Sequence, residues 1–137
     1  TWPRVKEAYV ETGKVRFILR EVYFDRFGLW ATMVARCGGR EPYHALVGRF
    51  LEMQEEWTRS EDIVAAIRRI GRLNGLSASR IDECLQDRDY AEALVAHYQE
   101  TAEADGIDST PSFVINGEKH TGNIGFEAFA DLIEAHL

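Results

Sequence analysis

The sequence contains little cysteine and little proline, and it has no long apolar run. Two cysteines in 137 residues are too few for a disulfide-dense scaffold or a four-cysteine zinc site, although they permit one bridge. Three prolines and 11 glycines exclude a collagen-like or disordered chain. No apolar stretch approaches the roughly 20 residues of a transmembrane helix, so we expect no membrane insertion. The four histidines show no ligand spacing, so we expect no metal site.

Basic residues are outnumbered by acidic ones. Sixteen Lys and Arg residues against 23 Asp and Glu residues give a net charge of -7 at pH 7. Proteins that bind nucleic acid need a basic surface, so this charge argues against a nucleic-acid partner. The chain is 45% apolar and 28% charged, which is typical of a globular domain.

The pattern of apolar residues predicts a mixed beginning and a helical middle. Trp2, Val5 and Tyr9 recur at helical spacing and predict a first helix. The short β-prone run 15–20 predicts a strand that is buried on at least one face. From about residue 25 to residue 105, apolar stripes at helical spacing lie opposite polar residues, which predicts a block of amphipathic helices.

The end of the chain has a different pattern. Residues 112–116 and 118–121 predict two strands, and Asn116-Gly117 between them is a strong signal for a two-residue hairpin turn. His120 lies in the second, polar strand, and we interpret it as a solvent-exposed residue at the sheet edge. An amphipathic helix then follows to the end of the sequence.

The segment 106–117, GIDSTPSFVING, carries a family resemblance. It resembles the cis-proline region of thioredoxin-fold proteins, and specifically that of the bacterial DsbA-like thiol–disulfide oxidoreductases. Cys37 and Cys84 also stand where that branch often carries an extra cysteine pair in its helical insertion. The resemblance runs from residue 1 to residue 137, with the proline segment as its most specific part.

The resemblance implies an α/β fold with a thioredoxin-like core and an all-helical insertion. Residues 1–24 and 106–137 would form the core, and residues 25–105 the insertion. The core would be incomplete because its first strand has no counterpart in this sequence. Open strand edges recruit partners, so we expect additional chain upstream, a homodimer or strand-swapped dimer, or direct pairing of the two remaining core strands.

The resemblance also implies a function in making or exchanging protein disulfides. Unfolded or reduced proteins would be the substrates, a redox protein would be the partner, and no cofactor is expected. The setting would be the periplasm or another extracytoplasmic compartment of a bacterium. The family's Cys-x-x-Cys motif is absent, so we predict no catalytic residue and no dithiol activity in these 137 residues.

Three consecutive residues are implied as the substrate-binding element. In the family, a cis peptide bond before the proline presents the preceding residue's backbone to an extended substrate. Thr110 and Pro111 would form that element, flanked by Ser109. Without the resemblance, a trans proline in an ordinary turn is the more frequent arrangement.

The role of the two cysteines is open from the residues alone. The resemblance implies a structural disulfide between Cys37 and Cys84. The alternatives are two buried free cysteines that act as small apolar residues, or a redox-active or metal-binding role.

Two other functions remain as alternatives. One is a non-catalytic thioredoxin-like module that binds peptides or proteins. The other is a glutathione-dependent relative of the kappa-class transferase or isomerase kind, which also joins a thioredoxin core to a helical insertion. The wording of the proline segment favours the oxidoreductase branch.

Overall fold

The computed structural model describes residues 1–137, which form eight helices, a π-helical segment and two strands. In chain order the elements are α1 (Trp2–Val5), the π-helical segment Lys6–Val10, α2 (Arg26–Arg36), α3 (Arg40–Glu52), α4 (Gln54–Thr58), α5 (Ile63–Leu73), α6 (Ala78–Leu85), α7 (Arg88–Asp105), β1 (Ser112–Ile115), β2 (Glu118–Thr121) and α8 (Phe126–Glu134). None of these helices combines the length and apolar character needed to cross a membrane.

The chain divides into two compact units. The first, the mixed unit, contains residues 1–20 and 99–137, and the second, the helical unit, contains residues 21–98. Helix α7 contributes residues to both units, because it begins at Arg88 and ends at Asp105.

The core of the mixed unit lies between the first helical segment and α8. Val5, Tyr9 and Ile133 are its buried residues. Partly buried apolar side chains surround them, including Phe126 and Phe129 of α8. The predicted helical spacing of Val5 and Tyr9 therefore corresponds to a buried face.

Strands β1 and β2 form an antiparallel hairpin, as predicted. Ser112 is opposite Thr121, and Ile115 is opposite Glu118. Asn116 and Gly117 have φ angles of 46° and 91°, and a tight hairpin turn of type I′ requires positive φ at both central positions. The dipeptide therefore sets both the turn and the register.

The predicted strand at residues 15–20 is wrong. The sheet consists of β1 and β2 alone, and residues 15–20 form no strand. A β-prone run becomes a strand only when another strand completes its hydrogen-bond ladder. Direct pairing of this segment with residues 112–116, one of the three alternatives given above, is wrong for the same reason.

The helical unit has its own hydrophobic core. Its most deeply buried side chains come from α2, α3, α5 and α6, and are Met33, Val34, Leu46, Ile67, Ile70 and Ile81. Gly71 of α5 is also buried, and the missing side chain lets neighbouring helices approach. A Cβ atom there would lie 2.9 Å from both Val34 Cγ1 and Ile81 Cδ1.

Candidate functional site

The loop before β1 starts at the carboxyl end of α7. Gly106 has a φ of 65°, and its N–H donates to the Glu103 carbonyl at 3.2 Å. The N–H of Ile107 donates to the Ala102 carbonyl at 2.8 Å. This pair of hydrogen bonds is the Schellman arrangement that ends a helix at a left-handed glycine. Gly106 therefore fixes the direction in which the loop leaves α7.

A lysine of the hairpin holds the start of this loop. Lys119 Nζ of β2 donates a hydrogen bond to the Gly106 carbonyl at 2.8 Å. Positive side chains near a helix carboxyl end satisfy unpaired carbonyls and interact favourably with the helix dipole. No local pattern in the sequence predicts this contact, because Lys119 and Gly106 lie 13 positions apart and in different parts of the fold.

Ser109, Thr110 and Pro111 are all exposed at the end of the loop. The Thr110–Pro111 peptide bond is cis, as predicted. The hydroxyl of Ser112 donates to the Ser109 carbonyl at 2.7 Å, and the N–H of Gly122 donates to the Pro111 carbonyl at 2.9 Å. These bonds fix the residues on both sides of Thr110.

The backbone of Thr110 makes no hydrogen bond of its own. Its N–H and carbonyl have no partner among residues 1–137, whereas the carbonyls of Ser109 and Pro111 are both satisfied. An exposed backbone donor and acceptor on an ordered segment can pair with an extended peptide. Thr110 is therefore the residue of the predicted trio whose backbone is available to a ligand.

The side chains beneath the hairpin pack against α8. Phe113 contacts Phe129 edge to face, with ring centroids 4.7 Å apart. His120 lies opposite Phe113, and its Nε2 atom is buried 3.9 Å from the Glu118 carboxylate. His120 is therefore only partly exposed, and not the solvent-exposed residue predicted from the sequence, because it lies on the same face of the hairpin as Phe113.

The Glu118 carboxylate also approaches a second histidine. His136 Nε2 lies 3.4 Å from the Glu118 carboxylate. No group of three or more histidine, cysteine or acidic side chains in residues 1–137 is arranged to hold a metal ion. The contact between Glu118 and His136 links β2 to the residues that follow α8.

The two cysteines lie in the helical unit and are bonded to each other. Cys37 and Cys84 form a disulfide with Cα atoms 5.9 Å apart, as the resemblance implied. Cys37 is buried at the end of α2, and Cys84 lies near the end of α6. No free thiol remains in these residues, so none of them supplies the thiolate that thiol–disulfide exchange requires.

The helical unit also contains a partly buried polar cluster that was not predicted from the sequence. Arg36 makes hydrogen bonds to both Glu21 carboxylate oxygens, and the Tyr43 hydroxyl donates to the same carboxylate. Burial and the bond to Glu21 raise the pKa of Tyr43. Burial and the nearby Glu21 charge raise the pKa of Tyr23 to about 12. Nothing in the sequence signals this cluster, because Glu21 and Arg36 are far apart in the chain.

A match to a family model identifies the protein family of this chain. A family model described as thioredoxin matches residues 2–135. The chain belongs to the thioredoxin family. The thioredoxin part of the resemblance is confirmed by this match.

Curated relatives of this thioredoxin-family chain come from Rickettsia. A Rickettsia conorii protein, provisionally named protein-disulfide oxidoreductase, is 28% identical over 137 residues, which cover 99% of this chain and 49% of the relative. A Rickettsia typhi protein with the same provisional name is 30% identical over 120 residues, which cover 85% of this chain and 43% of the relative. The chain therefore spans about half the length of the curated relatives it matches.

Solved structures confirm the fold class. The crystal structure of Wolbachia pipientis alpha-DsbA1 superposes with a TM-score of 0.85 at 24% sequence identity, covering 98% of this chain and 74% of that one. A variant of the same protein gives a TM-score of 0.86. The thioredoxin-like α/β fold with additional helices is thus established for this chain.

Proposed function

We propose that this chain serves protein thiol–disulfide exchange and that Ser109, Thr110 and Pro111 bind the polypeptide substrate. The observation that carries the proposal is the exposed, unpaired backbone of Thr110, held in place at the entry to β1. The provisional names of the Rickettsia relatives support the reaction class.

The geometry suits an extended, unfolded segment of a substrate. Such a segment presents alternating backbone donors and acceptors and can pair with an exposed strand or loop. Thr110 offers one N–H and one carbonyl for this pairing, while the bonds to Ser109 and Pro111 keep its neighbours fixed. Recognition through the backbone is compatible with substrates of many different sequences.

The exchange chemistry requires a thiol that these residues do not supply. In exchange, a thiolate attacks one sulfur of a disulfide and the other sulfur leaves as a thiolate, so one disulfide is formed as another is broken. Both cysteine sulfurs of these residues are held in the Cys37–Cys84 bond. We therefore assign substrate binding, and no step of thiol–disulfide exchange, to residues 1–137.

Peptide binding tests the proposed substrate site. A six-residue alanine- and serine-rich peptide is titrated into the ¹⁵N-labelled chain, and a matched peptide with N-methylated central amides serves as the control. We expect amide shifts centred on Ser109, Thr110 and Ser112 with the first peptide, and at least threefold weaker binding of the second. Equal binding of both peptides, or shifts confined to the helical unit, would contradict recognition by the Thr110 backbone.

An insulin-reduction assay tests the missing chemistry. The 137-residue chain with dithiothreitol should precipitate insulin no faster than dithiothreitol alone, because these residues contain no Cys-x-x-Cys pair to carry the exchange. A rate well above that background would contradict the assignment. A non-catalytic binding module would also bind the peptide without reducing insulin. Peptide binding without insulin reduction is therefore compatible with both functions.

The same proposal extends to partners, location and assembly. We infer that unfolded or reduced proteins are the substrates and that a redox protein exchanges electrons with the system. We also infer a periplasmic or other extracytoplasmic setting in a bacterium, where a disulfide such as Cys37–Cys84 persists. The open outer edge of β1 supports a homodimer.

A further inference from the structure

Two Asn-Gly dipeptides occur in the chain, Asn74-Gly75 and Asn116-Gly117. Asparagine is among the thermolabile residues, and a following glycine has no side chain to block attack by its backbone nitrogen on the asparagine side chain. In that attack the glycine nitrogen bonds to Cγ of the asparagine, the bond from Cγ to Nδ2 breaks, and ammonia leaves with the proton of the glycine N–H. Water then opens the cyclic imide to aspartate or isoaspartate.

Asn116-Gly117 forms the tip of the hairpin and is open to water. Both residues are exposed, and nothing lies within 4 Å of the position that a Cβ atom on Gly117 would occupy. Neither the Asn116 side-chain amide nor the Gly117 N–H has a hydrogen-bond partner in residues 1–137. The glycine nitrogen can therefore lose its proton to solvent, and the side chain can turn towards it, while every hydrogen bond of the fold is kept.

Asn74-Gly75 follows α5 and is held at both of its reacting groups. Asn74 Nδ2 donates to the Ile70 carbonyl at 2.7 Å, and the Gly75 N–H donates to the Arg72 carbonyl at 3.2 Å. Asn74 is also partly buried. Both hydrogen bonds have to break before the nitrogen can attack, and two bonds of ordinary net strength slow such a step by about tenfold or more.

The third asparagine of the chain separates the effect of exposure from the effect of the glycine. Asn123 is exposed, as Asn116 is, but Ile124 follows it. A β-branched side chain is stiff and crowds its own backbone nitrogen, so attack on the Asn123 side chain is hindered. Only Asn116 combines exposure, a following glycine and unbonded reacting groups.

We propose that Asn116 is a site of spontaneous covalent modification, at which the folded chain converts asparagine into aspartate and isoaspartate while Asn74 and Asn123 stay intact. In isoaspartate the backbone passes through Cβ, so the turn gains one backbone atom. A two-residue turn fixes the register of its strands, and an added atom disturbs that register. The new carboxylate also lies next to Glu118 in the chain, which places two like charges side by side.

The effect extends beyond the turn because the hairpin holds the loop before β1. Lys119 follows the turn and donates to the Gly106 carbonyl, and Gly122 donates to the Pro111 carbonyl. Both bonds depend on the register of β1 and β2. Conversion of Asn116 to isoaspartate therefore weakens the attachment of this loop.

Mass spectrometry of the aged protein tests the site. The folded 137-residue chain is kept for days at mildly alkaline pH in ¹⁸O-water, which labels each new carboxylate, and its peptides are then quantified. We expect Asn116 to convert about tenfold or more faster than Asn74, and Asn123 to remain unlabelled. The control is the same chain unfolded in guanidinium, in which Asn74 and Asn116 should convert at similar rates. Equal rates at Asn74 and Asn116 in the folded chain, or no label at Asn116, would overturn the proposal.

A matched variant tests the consequence for the hairpin. Asn116→Asp adds the same charge as the isoaspartate product without the extra backbone atom. Amides of β1 and β2 should exchange with deuterium several-fold faster in the chromatographically isolated isoaspartate form than in Asn116→Asp. Equal exchange in the two proteins would show that the hairpin tolerates the added atom and would overturn the predicted loosening of the loop.

Discussion

Single residues determine how closely the helices of the helical unit approach. Gly71 of α5 faces Val34 and Ile81, two of the most deeply buried side chains. A contact of 2.9 Å to a new Cβ atom is shorter than packed carbon atoms tolerate, so the side chains of Val34 and Ile81, or the helices that carry them, would have to shift. The glycine is therefore required by packing, although its backbone conformation is helical.

Substitution of Gly71 tests this packing. We expect Gly71→Ala to lower the free energy of unfolding by about 1–3 kcal/mol, because the added methyl group overpacks the core. Gly48→Ala is the matched control, since Gly48 is also helical and nothing lies within 4 Å of its added Cβ. That control should be neutral or stabilising by up to about 1 kcal/mol. Urea unfolding followed by circular dichroism measures both, and equal effects would contradict the packing argument.

Two tyrosines near Glu21, the half-buried Tyr23 and the buried Tyr43, give a second prediction at this scale. The pKa of Tyr23 is raised from 10.0 to about 12, and the pKa of Tyr43 is raised as well, because burial and Glu21 disfavour the phenolate. A raised pKa contributes stability that is complete below pH 10 and is lost as the pH rises towards 12. The free energy of unfolding should therefore fall between pH 10 and pH 12. Tyr23→Phe should reduce the slope of that fall, and an unchanged slope in the variant would contradict the assignment.

At the scale of elements, local signals predicted local structure well. Asn116-Gly117 predicted the hairpin because positive φ at two successive residues is a property of the dipeptide itself. Residues 15–20 were predicted as a strand from the same kind of local preference, and that prediction is wrong. A strand depends on a partner that sequence preference does not supply. His120 was predicted to be solvent-exposed, but its Nε2 atom is buried. Burial depends on tertiary packing, which the pattern of a single strand does not reveal.

The disulfide gives the prediction that belongs to α2 and α6. Cys37 and Cys84 are separated by 47 positions, and in the chain-entropy description closing such a loop stabilises the folded state by up to about 4 kcal/mol. We expect the double variant Cys37→Ala/Cys84→Ala to lose a large part of that stability while retaining its helical circular dichroism spectrum. Unfolding in urea without reductant measures the loss. An unchanged unfolding midpoint would show that the bond does not stabilise the helical unit.

At the scale of the whole molecule, the family could be predicted from the sequence, but the contacts between residues distant in the chain could not. The segment 106–117 carried the thioredoxin resemblance, which the match over residues 2–135 confirms. The polar cluster around Glu21 has no sequence signal, because it joins residues that are not neighbours in the chain. Features set by neighbouring residues could therefore be predicted from the sequence, whereas features that the fold assembles from distant residues could not.

The state of association is the prediction for the whole chain. The sheet has two strands, so the outer edge of β1 has no strand beside it, and Val114 on that strand is 42% exposed. Open edges with exposed apolar residues recruit a second chain, so we expect a homodimer at micromolar concentration. Light scattering after size-exclusion chromatography should give twice 15.6 kDa, and Val114→Lys should shift the population to the monomer. A stable monomer of the unmodified chain would contradict the dimer.

The loop before β1 is tied to the same hairpin at both of its ends. Lys119 holds the Gly106 carbonyl where the loop begins, and Gly122 holds the Pro111 carbonyl where it ends. The intervening residues 107–111 therefore resemble a small macrocycle closed by hydrogen bonds instead of covalent bonds. A macrocycle loses little conformational entropy when it binds, because closure has already restricted its backbone. The entropy lost when a polypeptide docks at Thr110 should thus fall mainly on the arriving chain, so more flexible segments bind at a larger entropic disadvantage than extended ones.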